Sequence, residues 1–201
     1  MKIRRKYCLL GSLLCALMTS PPGHAAEPIL LGLNAPRSGE YAQEGLMQAR
    51  GAIMAGEEIN QAGGVLGRPL ALLERDTASR PGQAVNNVNE LAAEGAQMLF
   101  GGASSAVAVA AGKRARDLGL LYFGTLTYSN DTTGKDAHRH MFRESYHAWM
   151  ASRVLSQQLN EQMPDSRYFY VTADYTWGHS TEQSMRHFTD TKDVGEHGRM
   201  L

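Results

Sequence analysis

Residues 28–41 read PILLGLNAPRSGEY, and this stretch decides the fold. Its apolar run over 28–34 is closed by Pro36, Arg37, Ser38 and Gly39, the pattern of a buried strand followed by a turn. Working outward, Leu46, Ala49, Ile53, Gly56 and Ile59 recur at three- or four-residue intervals and predict a helix over 41–61. Gly45, Ala49, Ala52 and Gly56 put small side chains on much the same face, which permits close approach to a sheet. Gly63 and Gly64 suit a left-handed cap. A second strand is expected over 69–75, and Pro81 suits the first turn of a helix that runs to about Glu94 with Val85, Val88, Leu91 and Ala92 inward. A short apolar strand over 97–100 leads through GGASS (101–105) into an alanine- and valine-rich helix ending near Leu118, and a fourth strand follows over 120–123. The polar stretch 125–140 is long enough to be a functional loop. A helix over 146–163, a fifth strand over 167–172 and a helix over 176–188 complete the pattern.

Strands alternating with helices imply an α/β fold, a doubly wound parallel sheet with helices on both faces and right-handed crossovers. In such sheets ligands bind beyond the carboxyl ends of the strands, where the strand order switches. With a 2-1-3-4 order the switch lies between the first and third strands. The flanking loops then offer Ser38, Gly39 and Tyr41 on one side and Ser104 and Ser105 on the other. Gly101 and Gly102 let backbone come close, the two serines supply hydroxyls, and the helix start supplies free N–H groups. Together these make a site for a carboxylate or another anion. Thr125, Thr127 and Tyr128 would line the same edge. Ser104 has a second reading, as a simple N-cap.

Residues 1–26 have a different character. Lys2, Arg4, Arg5 and Lys6 precede an apolar stretch from Tyr7 to Met18, then Pro21, Pro22 and small residues up to Ala25 and Ala26. This is the layout of a secretory signal peptide, and its apolar part is shorter than a membrane span. Neither Cys8 nor Cys15 follows the small residue that a lipidated cysteine needs. The whole chain of 201 residues balances 20 Lys and Arg against 20 Asp and Glu. Removing the leader takes four basic residues and both cysteines with it, leaving 16 basic against 20 acidic groups, a charge of −4. The mature protein is then expected in the periplasm, without disulfides or thiol chemistry and without membrane insertion. The charge gives no sign of a nucleic-acid partner.

Three blocks carry a family resemblance: Pro36-Arg37-Ser38-Gly39-Glu40-Tyr41, the EEINQAGGVLGRP of 57–69, and the DTASRP of 76–81. The chain resembles the periplasmic substrate-binding proteins of branched-chain amino-acid (Leu/Ile/Val) ABC transporters over roughly residues 29–190. The resemblance implies two Rossmann-like lobes of the type I periplasmic binding fold, closing on a small ligand. Residues 1–26 would be the signal, 27–142 the first, ligand-binding lobe, incomplete without its return segments, and 143–201 the crossing segment and the start of an incomplete second lobe. That family's chains are much longer, so this one is expected to be truncated or a fragment. Residues 193–196 look like the beginning of a further strand. The resemblance places Ser104 and Ser105 on the ligand's carboxylate or a carbonyl, Thr125 and Thr127 on the next loop, and Tyr175 over the ligand from the second lobe. Trp177 is either a rim contact or a surface aromatic packed on its helix. Asp174 is either a partner for an amino group or a turn residue. Tyr146 and His147 stand where relatives often carry an acid, which points away from a plain amino-acid ligand. The implied partners are a small polar organic ligand (amino acid, amide or similar) and the permease subunits, with no cofactor.

Other chemistry is poorly supported. Gly101-Gly102 is not a dinucleotide fingerprint, and Gly112-Lys113 lacks the rest of a phosphate loop. His138, His140 and His147 have no acidic or cysteine partner at ligand spacing. Asp174, His179 and Ser180 are triad residue types without a nucleophile elbow. A ligand-sensing receptor domain on the same fold and an exported α/β hydrolase are the competing readings. Mass spectrometry of the exported protein is expected to find the new N-terminus after Ala25 or Ala26; a mature chain beginning at Met1 or Lys2 would contradict the leader.

Overall fold

The computed structural model describes residues 26–191 and 198–200. The leader, apart from Ala26, and the strand start expected over 193–196 lie outside the described residues. The chain runs β1 (Ile29–Ala35), α1 (Ala42–Gln61), β2 (Leu70–Asp76), α2 (Pro81–Ala93), β3 (Met98–Gly102), α3 (Ser105–Asp117) and β4 (Leu121–Thr125). A 3-10 turn (Asn130–Thr133), β5 (Met141–Arg143), α4 (Ala148–Gln162), β6 (Val171–Ala173), α5 (Thr176–Phe188) and β7 (Gly198–Met200) follow.

The first five strands form one parallel sheet of order β2-β1-β3-β4-β5, so the expected switch between β1 and β3 is present. Alternation along the strands sends neighbouring residues to opposite faces. Leu99 points into the larger core with Val88 and Leu91 of α2 and with Val107, Ala108 and Ala111 of α3. Phe100, one residue on, packs toward Leu33, Ala35 and Ala49 on the α1 side. Gly45 makes that second layer possible: a Cβ there would collide with the Pro36 carbonyl, so only glycine lets α1 start so close to the end of β1. Gly63 and Gly64 take positive φ of 100° and 74° after α1, and Pro81 opens α2, as their sequence positions predict.

Four sequence expectations need revising. Ile53 and Ile59, expected inward, are 43% and 38% exposed, because α1 alone lies over a face of five strands and cannot cover it. The stretch after β4 is not one loop: it holds the 3-10 turn and ends in β5, whose three residues are too few to show alternation. The helix expected from 146 begins at Ala148. The fifth strand expected over 167–172 shrinks to Val171–Ala173, which pairs in parallel with β7 in a second, two-stranded sheet. Arg167, Tyr168 and Phe169 precede it without strand pairing.

The 3-10 turn joins the two sheets' surroundings. Asn130 N–H donates to Ser180 Oγ of α5 at 2.8 Å, and Asn130 Nδ2 donates to Ser184 Oγ at 3.0 Å. No helix among the described residues is long and apolar enough to cross a membrane.

Leu99→Ala, at a site with 0% exposure, is expected to lower unfolding free energy by about 2–5 kcal/mol, through lost transfer energy and an unfilled cavity. Met54→Ala, at 62% exposure, is expected to change it by less than about 0.5 kcal/mol. Urea titrations of both variants check the pair.

Candidate functional site

The carboxyl ends of β1, β2, β3 and β4 gather the site. The Asp76 carboxylate ends β2 and accepts from Arg37 N–H at 2.7 Å, Ser38 N–H at 3.3 Å, Ser38 Oγ at 2.7 Å and Ala78 N–H at 2.7 Å. Burial raises its pKa, but the hydrogen bonds outweigh that effect and hold the carboxyl at about 2. Ser38 is therefore tied to Asp76, and the turn through Gly39 (φ 81°) is fixed by it. Ser79 continues the arrangement: its Oγ accepts from Tyr41 N–H at 3.0 Å and donates to the Ser38 carbonyl. Tyr41 then opens α1 as its N-cap residue without a side-chain cap bond.

On the other side of the switch, Gly101 and Gly102 take φ of 135° and 133°, and Ala103 follows at 70°. Ala78 (49°), Ser79 (58°) and Leu126 (50°) are also in the left-handed region. Such conformations cost non-glycine residues free energy; among the described residues four of the seven lie in the loops after β2, β3 and β4, while Leu66, Asp165 and Asp190 lie elsewhere. Ser104 is the N-cap residue of α3 by backbone, yet its hydroxyl makes no cap bond. It is 6% exposed, and the first-turn amides of α3 have no intrahelical partners. The simple N-cap reading of Ser104 does not describe this geometry. Ser105 Oγ accepts from Ser129 N–H at 3.0 Å, which leaves its own hydroxyl proton to donate elsewhere.

The remaining candidates divide. Thr125 Oγ1 donates to Gln48 Oε1 of α1. Thr127 is fully buried, with its hydroxyl paired to Thr132 at 2.9 Å, so it braces the turn after β4 and presents no accessible surface. Tyr128 stacks on Tyr146, ring centroids 4.7 Å apart, and its carbonyl accepts from Ala148 N–H at 2.7 Å. Tyr175 is the N-cap residue of α5, and its ring meets Tyr41 at 6.3 Å and Trp177 at 6.1 Å. Burial raises both phenol pKa values; the hydrogen bond between the two phenols offsets the rise for Tyr41 and adds to it for Tyr175. Trp177 is thus part of the aromatic row and not an isolated surface ring. Asp174 accepts or shares a proton with His179 Nε2 at 2.7 Å.

Three residues that the sequence reading did not single out belong to this edge: Asp76, Ser79 and Ser129. Ser79 follows from the strand order alone, since the β2 loop adjoins the β1 loop. Ser129, with 0% exposure, carries no sequence signal, because it reaches Ser105 only when the chain turns back after Leu126.

The profile of the family described as "Periplasmic binding protein" matches residues 28–195. Leu/Ile/Val-binding protein homolog 4 of Brucella abortus is 28% identical over 200 residues, covering 94% of this chain and 48% of the relative. An amino acid ABC transporter substrate-binding protein from Pseudomonas fluorescens superposes with a TM-score of 0.73 at 28% identity, over 88% of this chain and 47% of that one. A solute-binding protein from R. palustris, solved in complex with benzoate, gives 0.77 at 23% identity, over 87% and 48%, and at that identity shows the fold alone. These relatives are solute-binding proteins and not enzymes. The chain spans about half the length of the curated relatives it matches.

The low Asp76 pKa has a sign. A carboxyl held below its ordinary value stabilises the fold above about pH 4, and that contribution is lost as pH falls through about 2. Asp76→Asn is expected to lower the melting temperature at neutral pH and to flatten its decline between about pH 4 and 2. Melting curves of the two proteins across that range check this.

Proposed function

We propose that this chain, which belongs to the periplasmic binding protein family, acts as the solute receptor of an ABC transporter. In this reading it captures a small amino acid, amide or related carboxylate between its two lobes and delivers it to a membrane permease. The observation that carries the reading is the approach of Tyr175, at the start of the second sheet's helix, to Tyr41 at the start of α1. In this reading the two rings close one end of a ligand gap, and the strained Gly101–Ala103 backbone and the uncapped start of α3, at the same carboxyl edge of the sheet, form its floor. Ser104, Ser105 and the first-turn amides are suited to a carboxylate, and Tyr41, Tyr175 and Trp177 to the apolar part of the ligand. Ser38 and Gly39 shape the gap through Asp76, and Tyr128 borders it.

Thr125 and Thr127 act in this account by holding the loop after β4. Residues 27–142 supply one wall, and the segment from 143 supplies the crossing and the beginning of the other. The receptor is non-catalytic, needs no cofactor and works in the periplasm after loss of its leader. The amino acid ABC transporter substrate-binding protein from Pseudomonas fluorescens supports a small ligand with a carboxylate.

A thermal-shift screen of amino acids, short amides, urea-like compounds and aromatic acids is expected to give a rise in melting temperature with at least one class, through binding to the native state. Ser105→Ala is expected to weaken that ligand by about 0.5–3 kcal/mol, since a hydrogen-bond donor to a charged group is removed. No shift with any compound, or turnover of an ester or amide in the same screen, would overturn the reading.

A further inference from the structure

At the 3-10 turn, Asn130, Thr133, Arg143, His147 and Trp149 line an open hollow of about 350 Å³, and none of them is among the residues proposed for the ligand. Its charged groups are arranged without compensation. The half-buried Arg143 guanidinium has five N–H donors, of which Nη1 goes to the Ser129 carbonyl at 2.9 Å. Among the described residues no carboxylate forms an ion pair with it.

His147 stands beside it in the same hollow with a defined tautomer. Asn130 Oδ1 also accepts from Trp149 N–H at 2.8 Å, and Asn130 Nδ2 donates to Ser184, so the amide orientation is fixed. The 3.1 Å contact between His147 Nδ1 and Asn130 Oδ1 therefore has the imidazole donating from Nδ1. Nε2 is left as a lone pair when the ring is neutral and becomes a donor when it is protonated. Charged groups on the adjoining elements are already engaged: Asp131 pairs with Lys135 on the turn, and Arg186 pairs with Glu182 on α5. His187 of α5 lies across the Trp149 ring, centroids 4.8 Å apart, and Glu144 beside Arg143 is exposed.

We propose that this hollow is a second binding site, which takes a small oxyanion between the Arg143 guanidinium and Nε2 of protonated His147. The anion supplies the negative charge that the protein does not, and the Thr133 hydroxyl at the rim is an additional donor. In the empty hollow, burial and the neighbouring Arg143 both hold the His147 pKa below its ordinary value. A bound oxyanion reverses the second effect, so anion affinity increases as the imidazole gains its proton, and the site is tighter at low pH than at high pH.

The test follows the His147 ring signals by NMR between about pH 5 and 8, with and without sulfate, which keeps one charge state over that range. Sulfate is expected to raise the His147 pKa, and Arg143→Gln to weaken sulfate about tenfold or more. His147→Gln, which leaves the Arg143 tie to Ser129 intact, is expected to retain weak binding and lose its pH dependence. Acetate in place of sulfate separates a carboxylate preference, with an equal or larger His147 shift, from a tetrahedral one, with a smaller shift; either supports an oxyanion site. Ser104→Ala, which removes a hydroxyl that makes no cap bond, is expected to leave the sulfate response unchanged. A His147 titration that sulfate does not move, or a sulfate response abolished by Ser104→Ala, would overturn the proposal.

Discussion

The loops at the switch between β1 and β3 depend on one carboxylate. Asp76 ends β2 and receives four donors from the chain that follows β1 and from its own loop. Without it the turn at Ser38 and Gly39 would have two unpaired amides and a free hydroxyl, and Tyr41 would lose its fixed place over Ser79. A second polar set lies beneath. Asn34, buried in β1, donates to the Ala84 carbonyl at 2.9 Å and accepts from Asn87, which also donates to the Asp76 carbonyl. Buried amides satisfied this completely fix α2 against β1 and β2 in one register, where a purely apolar contact would allow sliding. The two sets share Asp76, one through its side chain and the other through its backbone.

Asn130 has a comparable place at the junction of the two sheets. Its amide and backbone together meet Ser180, Ser184, His147 and Trp149. The 3-10 turn that carries it is itself held by Ser129, whose hydroxyl accepts from Asp131 N–H at 3.1 Å. Ser129 also touches Ser105 through its N–H and Arg143 through its carbonyl. A single buried serine therefore links the start of α3, the last strand of the main sheet and the 3-10 turn that meets α5.

The positions of the main strands and helices and of the loops between them were legible in the sequence, because each depends on local periodicity and on glycine and proline placement, while the strand order was supplied by the way such alternating sheets are wound. The positions of Pro81, Gly63 and Gly64 are examples. What was not legible depends on distance or on absence. β5 has three residues and exists only because β4 is beside it. Ile53 and Ile59 carry the helical spacing of inward residues, but periodicity says which face a helix offers and not whether enough layers exist to cover it. In the site, serines and tyrosines near helix starts were visible as types. Their partners were not, since Thr127 is used up by Thr132 and Ser38 by Asp76 through contacts that only the folded chain creates. The positive-φ alanines and leucine were the least visible of all, because nothing in those side chains announces a strained backbone.

Gly178 in α5 stands where Gly45 stands in α1: a Cβ at Gly178 would strike the Ala173 carbonyl at the end of β6, as one at Gly45 would strike Pro36. Each sheet thus has the first turn of a helix pressed against the end of one of its strands, and each of those helices has a tyrosine at its N-cap. Of the helices α1, α3 and α5, α1 has an acidic side chain in its first turn, Glu44, and α3 and α5 have none. The positive potential at those helix starts comes from peptide dipoles, which no side-chain substitution removes and no accessible pH neutralises. The consequence is robustness to mutation: attraction for a negative group would outlast the loss of either serine, while the identity of the group remains open to change through the side chains around it.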